Sequence, residues 1–348
     1  MKNYLVTGGA GFIGSNFVEY IVQNKPNSHI IVLDKLTYAG NKENLKEVED
    51  KIEFIQGDIK NRSVVEKIFS DYEIDYVVNF AAESHVDNSI ADAQVFIETN
   101  VLGTQNLLEI AKEYWEIEQG EYKAGTKFIQ VSTDEVYGSL GERGYFTESS
   151  SLQPSSPYSA SKASADLIAQ SYYKTYNFPV VISRCSNNYG PRQYPEKLIP
   201  VMIQNIIAAK KLPVYGDGTN IRDWIYVKDH VRALEEIVAN GKKGEVYNIG
   251  ANTEKKNLDI VRGIIDIIKE LTIIEDKYKN ILSIKSDNIN YDLIEFVEDR
   301  LGHDWRYAID NSKIKQELNW QPRVSFYEGL KHTVKWYLEN QDWIEKVK

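Results

Sequence analysis

The sequence is poor in sulfur, with one cysteine, Cys185, and two methionines in 348 residues. A lone thiol cannot close an intramolecular disulfide or build a Cys-rich metal site, so a disulfide scaffold is excluded, no metal site is predicted, and a reducing compartment fits. Long apolar runs are missing too. Nothing approaches the roughly 18 apolar residues of a membrane span, and the opening "MKNYLVTGGAGFIG" reaches its glycines too soon for a signal-peptide core. An excess of positive charge is also absent: Lys and Arg number 41 against 51 Asp and Glu, a formal net charge of -10. That argues against nucleic acid or an anionic membrane as the main partner, although a local cluster of cations can still hold an anionic small ligand. With 42% hydrophobic and 26% charged residues the remainder is ordinary globular composition, and a cytoplasmic protein is predicted.

Length argues against one simple core, so two lobes or a doubly wound domain with a large attachment are predicted. Short β-branched runs ("YLVTG", "HIIVLD", "KIEFIQGD", "YVVNFAA", "KFIQVS", "VVISRC") alternate with helical patterns ("FIGSNFVEYIVQN", "SVVEKIFSDY", "DAQVFIETNVLGTQNLLEIAKEYW", "SASKASADLIAQSYYKTY"). That alternation predicts an α/β fold, a Rossmann-type doubly wound parallel sheet with a smaller C-terminal substrate-binding lobe. After about Tyr189 the pattern loosens around Pro and Gly. The expected division is 1–188 for the dinucleotide-binding domain and 189–348 for most of the second lobe, with about 223–250 returning to the first.

Gly8, Gly11 and Gly14 stand in a GxxGxxG spacing between a strand and a helix. Glycines there let the turn close and let backbone approach a pyrophosphate, while the helix N-terminus attracts its charge. Asp34 ends the second strand, 20 residues after Gly14. An acid at that place accepts from an adenosine ribose and repels a 2′-phosphate, so NAD is favoured over NADP. Asp58 in "GDI" either reaches the adenine or caps the helix that follows it.

Two further patterns carry chemistry. Asp134 and Glu135 sit side by side after a strand ending in Thr133, where an ordinary turn would favour Gly or Asn. Two like charges held together push one pKa up, a route to one protonated and one ionised acid. Tyr158 and Lys162 lie four apart at the start of a helix, hence on one face. A Lys ammonium beside a phenol lowers its pKa towards neutrality, making Tyr158 a general base for a sugar hydroxyl, and Lys162 can also hold the nicotinamide ribose. His85 reads as a hydrogen-bonded structural residue.

Together these residues resemble the extended short-chain dehydrogenase/reductase family. The resemblance runs over nearly the whole chain, since "TGGAGFIG", "LDKLTYAGN", "GDI", "AAESHVDNS", "STDEVYG", "YSASKASAD", "SNNYGPRQ", "DGTNIRDWIYVKDH" and "YNIG" occur in order. It is closest to members that remove water across C5 and C6 of a nucleotide-linked hexose, and it implies dTDP-glucose as substrate, NAD as cofactor, a homodimer built on a four-helix interface, and a place in deoxysugar supply such as that of rhamnose. It implies Tyr158 as the base at the C4 hydroxyl, Thr133 on the C4 oxygen, Glu135 as base at C5 and Asp134 as the proton donor at C6. Further cofactor contacts implied are Phe12, Ile13, Lys35, Leu36, Thr37, Ile59, Ala81, Ala82, Glu83, Thr99 and Asn188. Around the substrate it implies Ser84, Asn187, Arg192, Lys197, Leu198, Pro213, Val214, Tyr215, Arg222, Asn257, Asp299, Arg300 and His303, with Arg192, Lys197, Arg222 and Arg300 as the cations a diphosphate needs. The family pattern has Pro where this chain has Leu301, and Arg where it has Trp305.

Two other readings stay open at this level. One is a dehydratase or 4-epimerase acting on a UDP, CDP or GDP sugar; the other is a catalytically silent NAD-binding regulatory protein, against which the intact Thr133, Asp134, Glu135, Tyr158 and Lys162 set argues.

Overall fold

A computed structural model describes residues 1–299 and 304–347. Seven strands build the central sheet: β1 (Lys2–Thr7), β2 (Ser28–Asp34), β3 (Glu53–Gln56), β4 (Tyr76–Asn79), β5 (Lys127–Thr133), β6 (Val180–Cys185) and β7 (Val246–Ile249). Their order is β7-β6-β5-β4-β1-β2-β3 and every pairing is parallel. This is the doubly wound arrangement predicted, with β7 added beyond β6. β6 reads as an unbroken buried run because helices cover both faces of the sheet.

One face packs against the Phe12–Asn24 and Val227–Asn240 helices through Phe17, Val18, Ile21, Leu234 and Ile237. The other face is covered by the Arg62–Asp71, Thr104–Trp115 and Pro157–Tyr176 helices, with Trp115 stacked on Phe178 at its centre. A separate apolar cluster joins the Leu198–Ile207, Asn257–Ile274 and Phe326–Glu339 helices. Beside it, Ile221–Tyr226 pairs with Asn187–Tyr189 and Glu254–Lys256, and Leu212–Tyr215 pairs with Ile294–Val297. No helix among the described residues is long and apolar enough to cross a membrane.

Local sequence explains the helix that carries Tyr158. Ser156 caps it in a reciprocal capping box with Ser159, Pro157 takes the first helical position, and Asn177 ends it in the left-handed conformation. The long "DAQVF…EYW" helix is not uniform: Ile97–Gly103 is a π-helical stretch between two α-helical ones. The extra residue turns Asn100 inward, where its amide donates to the Glu83 carbonyl at 3.0 Å and the Ser161 hydroxyl at 2.8 Å while its oxygen accepts from the Glu83 N–H at 2.8 Å. Periodicity alone does not reveal this stretch, since π-helical turns are rare inside α-helices.

Candidate active site

In a parallel sheet every strand ends on the same edge, and ligands collect where the order reverses. Here the reversal falls between β1 and β4. The edge carries, from one side to the other, Asp58 after β3, Asp34 on β2, the Gly8 turn after β1, Ala81–Ser84 after β4, Thr133–Glu135 after β5 and Cys185–Asn188 after β6. These residues line one cleft of about 340 Å³, together with Tyr158 and Lys162.

At its deep end the Phe12–Asn24 helix starts after Gly11 with no side chain capping its free N–H groups. Backbone geometry demands the glycines. Gly8 has φ +66° and an added Cβ would lie 2.6 Å from Ala81 N; at Gly14 it would lie 2.3 Å from the Gly8 carbonyl oxygen. Asp34 accepts from the Ala10 N–H at 2.9 Å and the Leu36 N–H at 2.8 Å. Burial raises its pKa and those two donors restrain the rise. Asp58 does not cap a helix: the cap of Arg62–Asp71 is Asn61, and Asp58 pairs with Lys35 at 2.9 Å while accepting from the Lys60 N–H. Phe12, Ile13, Gly14, Thr37, Ile59, Ala82, Glu83 and Thr99 also line the cleft, whereas Leu36 takes φ 58° beside it.

Midway along, the Asp134–Tyr137 turn presents the acid pair. Thr133 accepts from the Glu135 N–H at 3.3 Å and its hydroxyl donates to Asp134 Oδ1 at 3.3 Å. Asp134 is sealed from solvent and its Oδ2 has no protein partner among the described residues. Burial first, then the Glu135 and Asp223 carboxylates, drives its pKa well above the ordinary range. That environment favours the protonated form of Asp134.

The Tyr158 phenol departs from the expectation of a lowered pKa. Burial, with Glu135, Cys185 and Asp134 around it, pushes it well above the ordinary tyrosine range. Lys162 Nζ donates to the Val131 carbonyl at 2.7 Å, and burial lowers its own pKa.

The sequence profile described as "GDP-mannose 4,6 dehydratase" matches residues 5–333. A dTDP-glucose 4,6-dehydratase of Neisseria gonorrhoeae is 50% identical over 343 residues, 98% of this chain and 96% of the relative. The chain belongs to the dTDP-glucose 4,6-dehydratase family. The crystal structure of a dTDP-glucose 4,6-dehydratase from Bacillus anthracis in complex with NAD is 47% identical, covers 100% of both chains and superposes with a TM-score of 0.87. A UDP-glucose 4-epimerase from Thermotoga maritima shares the fold at 29% identity over 97% of this chain and 99% of its own, with a TM-score of 0.82.

Ser84, Asn187 and Lys197 also line this dehydratase-family cleft, with Lys197 Nζ 3.5 Å from the Ser84 carbonyl; Leu198 begins the helix that follows. Arg192 is not brought to the cleft: it is buried against the first helix, 2.5 Å from Glu19. The "PRQ" spacing could not show this, because the partner lies 173 residues away. Arg222 stacks over Tyr307 at 4.5 Å, bonds the Asp304 and Trp305 carbonyls, and its charge offsets part of the rise in the Asp134 pKa. Pro213, Val214 and Tyr215 form the short strand next to Gly216, whose Cβ would meet Asp299; Val214 faces the apolar cluster and Tyr215 faces solvent. Asn257 starts the Asn257–Ile274 helix. Arg300 and His303, with Leu301, lie outside the described residues.

Several cleft residues escaped the sequence reading. Tyr38 and Tyr194 meet edge to face at 5.7 Å, from loops after β2 and after Asn187–Tyr189, and both line the cleft with Gln193 and Glu196. Their only signal was an aromatic beside Gly or Pro in a loop leaving a strand end. His230, fully buried, holds Asn188 Oδ1 at 2.8 Å, and burial keeps its pKa down at about 3, so it orients that amide as a neutral ring. His85 caps the Val86–Ala91 helix.

Proposed function

We propose that the protein is an NAD-dependent dTDP-glucose 4,6-dehydratase, a hydro-lyase giving dTDP-4-keto-6-deoxyglucose. The observation that carries this reading is the buried Asp134 with its raised pKa, adjacent to Glu135 in the same cleft as Tyr158. Oxidation at C4 alone needs one base; losing water across C5 and C6 needs an acid and a base more.

The cradle fits NAD: two glycines whose Cβ atoms would collide with backbone, a helix N-terminus without a side-chain cap, and a carboxylate at the end of β2 that disfavours a 2′-phosphate. Gly8, Gly11, Gly14, Asp34, Asp58, Thr99, Lys162 and Asn188 would hold it. When bound, NAD supplies a positively charged hydride acceptor for C4 and later the hydride donor for C6.

The residues divide the rest. Tyr158 takes the C4 hydroxyl proton, and Thr133 and Lys162 hold neighbouring oxygens. The ketone acidifies C5, Glu135 removes that hydrogen as a proton, and Asp134 protonates the departing C6 hydroxyl. A proton then returns to C5. Lys197, on the cleft wall, would hold the diphosphate, with Arg222 and Arg300 proposed beside it.

We also assign the apolar cluster of Leu198–Ile207, Asn257–Ile274 and Phe326–Glu339 to a substrate-binding lobe beginning near residue 189. Val95, Ile97 and Leu102 on one helix and Leu167 on the adjacent Tyr158 helix are exposed, an apolar face suited to a homodimer. Cytoplasmic residence is supported by the single reduced thiol, and a use of the product is dTDP-rhamnose formation. The test is turnover of dTDP-, UDP- and GDP-glucose with product identified by NMR. A 4-keto-6-deoxy product with preference for dTDP supports the proposal, and a C4 epimer as sole product overturns it.

A further inference from the structure

Behind the reacting groups runs a buried chain of charges to which the steps above give no part. Asp166 follows Lys162 by four residues on the same helix face and is fully buried. Its Oδ2 accepts from Arg184 Nε at 2.8 Å, and Arg184, on β6, is as inaccessible as its partner. Arg184 Nη1 bonds the Tyr137 hydroxyl at 2.9 Å, with the guanidinium 4.9 Å over the Tyr137 ring. That hydroxyl donates onward to Asn248 Oδ1 of β7 at 2.8 Å. Tyr137 closes the very turn that begins with Asp134 and Glu135.

One carboxylate thus pairs with the buried Arg184 and lies one helical turn from the buried Lys162. Apolar side chains of similar volume would fill this space without the desolvation cost of an ion pair, so packing alone gives no reason for charge here. The connections run to both halves of the site: Lys162 lies on the oxidation side, and Arg184 reaches the turn that carries the elimination pair. We propose that Asp166 is a positioning residue, which keeps the Lys162 ammonium charged in the cleft wall and, through Arg184 and Tyr137, fixes the turn that bears Asp134 and Glu135. This rests on the roles given above to Lys162 and the acid pair.

The surroundings of Lys162 agree in direction. Burial drives its pKa down, Asp166 is the foremost group opposing that, and the Cys185 thiol on β6 is next. β5 contributes the Val131 carbonyl. The Asp134 and Glu135 carboxylates act on Tyr158 instead. Asp166 is itself pushed up by burial and held back by Arg184 and then by Lys162.

Two variants test this: Asp166→Asn, and the neutral pair Asp166→Asn with Arg184→Gln, which leaves no lone buried charge. The measurement is the pH dependence of single-turnover nicotinamide reduction by dTDP-glucose, with Lys162→Met run alongside. Without the Asp166 anion the Lys162 ammonium deprotonates at lower pH. The alkaline limb should therefore move down by about one pH unit or more in each folded variant, a tenfold loss at fixed pH on that limb. The fraction of reduced cofactor that proceeds to elimination should fall as well. An unchanged pH profile in a folded variant overturns the proposal, and so does failure of both variants to fold, which would make the pair a folding determinant only. If Lys162→Met still oxidises C4 at the normal rate, the reading of Lys162 itself fails, an outcome distinct from either.

Discussion

Lys162 Nζ donates to the Val131 main-chain oxygen at 2.7 Å, which ties the helix that carries Tyr158 to β5. The Tyr158 phenol one turn earlier is buried, and burial first, then the neighbouring Glu135, raise its pKa. The ligand-free phenol is thus protonated near neutrality. Tyrosinate absorbance of the ligand-free protein should be the same for the wild type and Tyr158→Phe from about pH 6 to pH 9, below the ordinary tyrosine range. An additional tyrosinate in the wild type within that interval would contradict this.

Asp134 leads to a prediction about stability. An unfolded Asp loses its proton near pH 3.9, whereas the buried Asp134 holds its proton to higher pH. Between those values the folded state binds more protons than the unfolded one, so this group makes stability fall as pH rises. Asp134→Asn removes the penalty. Its unfolding midpoint should exceed that of the wild type at neutral pH, with the gap closing below about pH 4. Elimination should slow by roughly 10²–10⁴-fold while C4 oxidation persists. An equal loss of both steps would count against Asp134 as a dedicated proton donor.

Arg192 and Lys197 should separate cleanly. Arg192→Gln strands Glu19 in a partly buried place and should cost about 1–3 kcal/mol of stability, with KM for dTDP-glucose within roughly threefold of the wild-type value, below the tenfold that 1.4 kcal/mol would produce. Lys197→Ala should do the reverse, raising KM with little change in melting temperature. The two can be compared by steady-state kinetics and calorimetry.

Gly14→Ala places a methyl 2.3 Å from the Gly8 carbonyl oxygen, backbone that cannot move aside without opening the loop. NAD affinity measured by titration should fall by at least about tenfold, equivalent to 1.4 kcal/mol. An unchanged dissociation constant would place the pyrophosphate elsewhere.

The parts of this protein written in local pattern were readable from its sequence. The strand and helix alternation, the Gly8 to Gly14 turn and the 20-residue step to Asp34 each follow from rules acting over one supersecondary unit, and the structure gathers them at one sheet edge. What distance in the chain concealed was partnership. Nothing near Arg192 announces Glu19, nothing near Asp166 announces Arg184, and nothing near Asn100 in the Ile97–Gly103 stretch announces Glu83 and Ser161. The Tyr158 pKa is likewise set by its tertiary surroundings: the four-residue spacing places Lys162 on the same face, but burial first, and then Glu135, raise the phenol's pKa.

The most direct test is the fate of deuterium in dTDP-glucose labelled at C4. Wild-type protein should deliver the label to C6 of a 4-keto-6-deoxy product, and Glu135→Gln should hold it on reduced nicotinamide with no loss of water. Label retained at C4 of an epimer, or dehydration by Glu135→Gln at the normal rate, would contradict the division of work between Tyr158 and the Asp134–Glu135 pair.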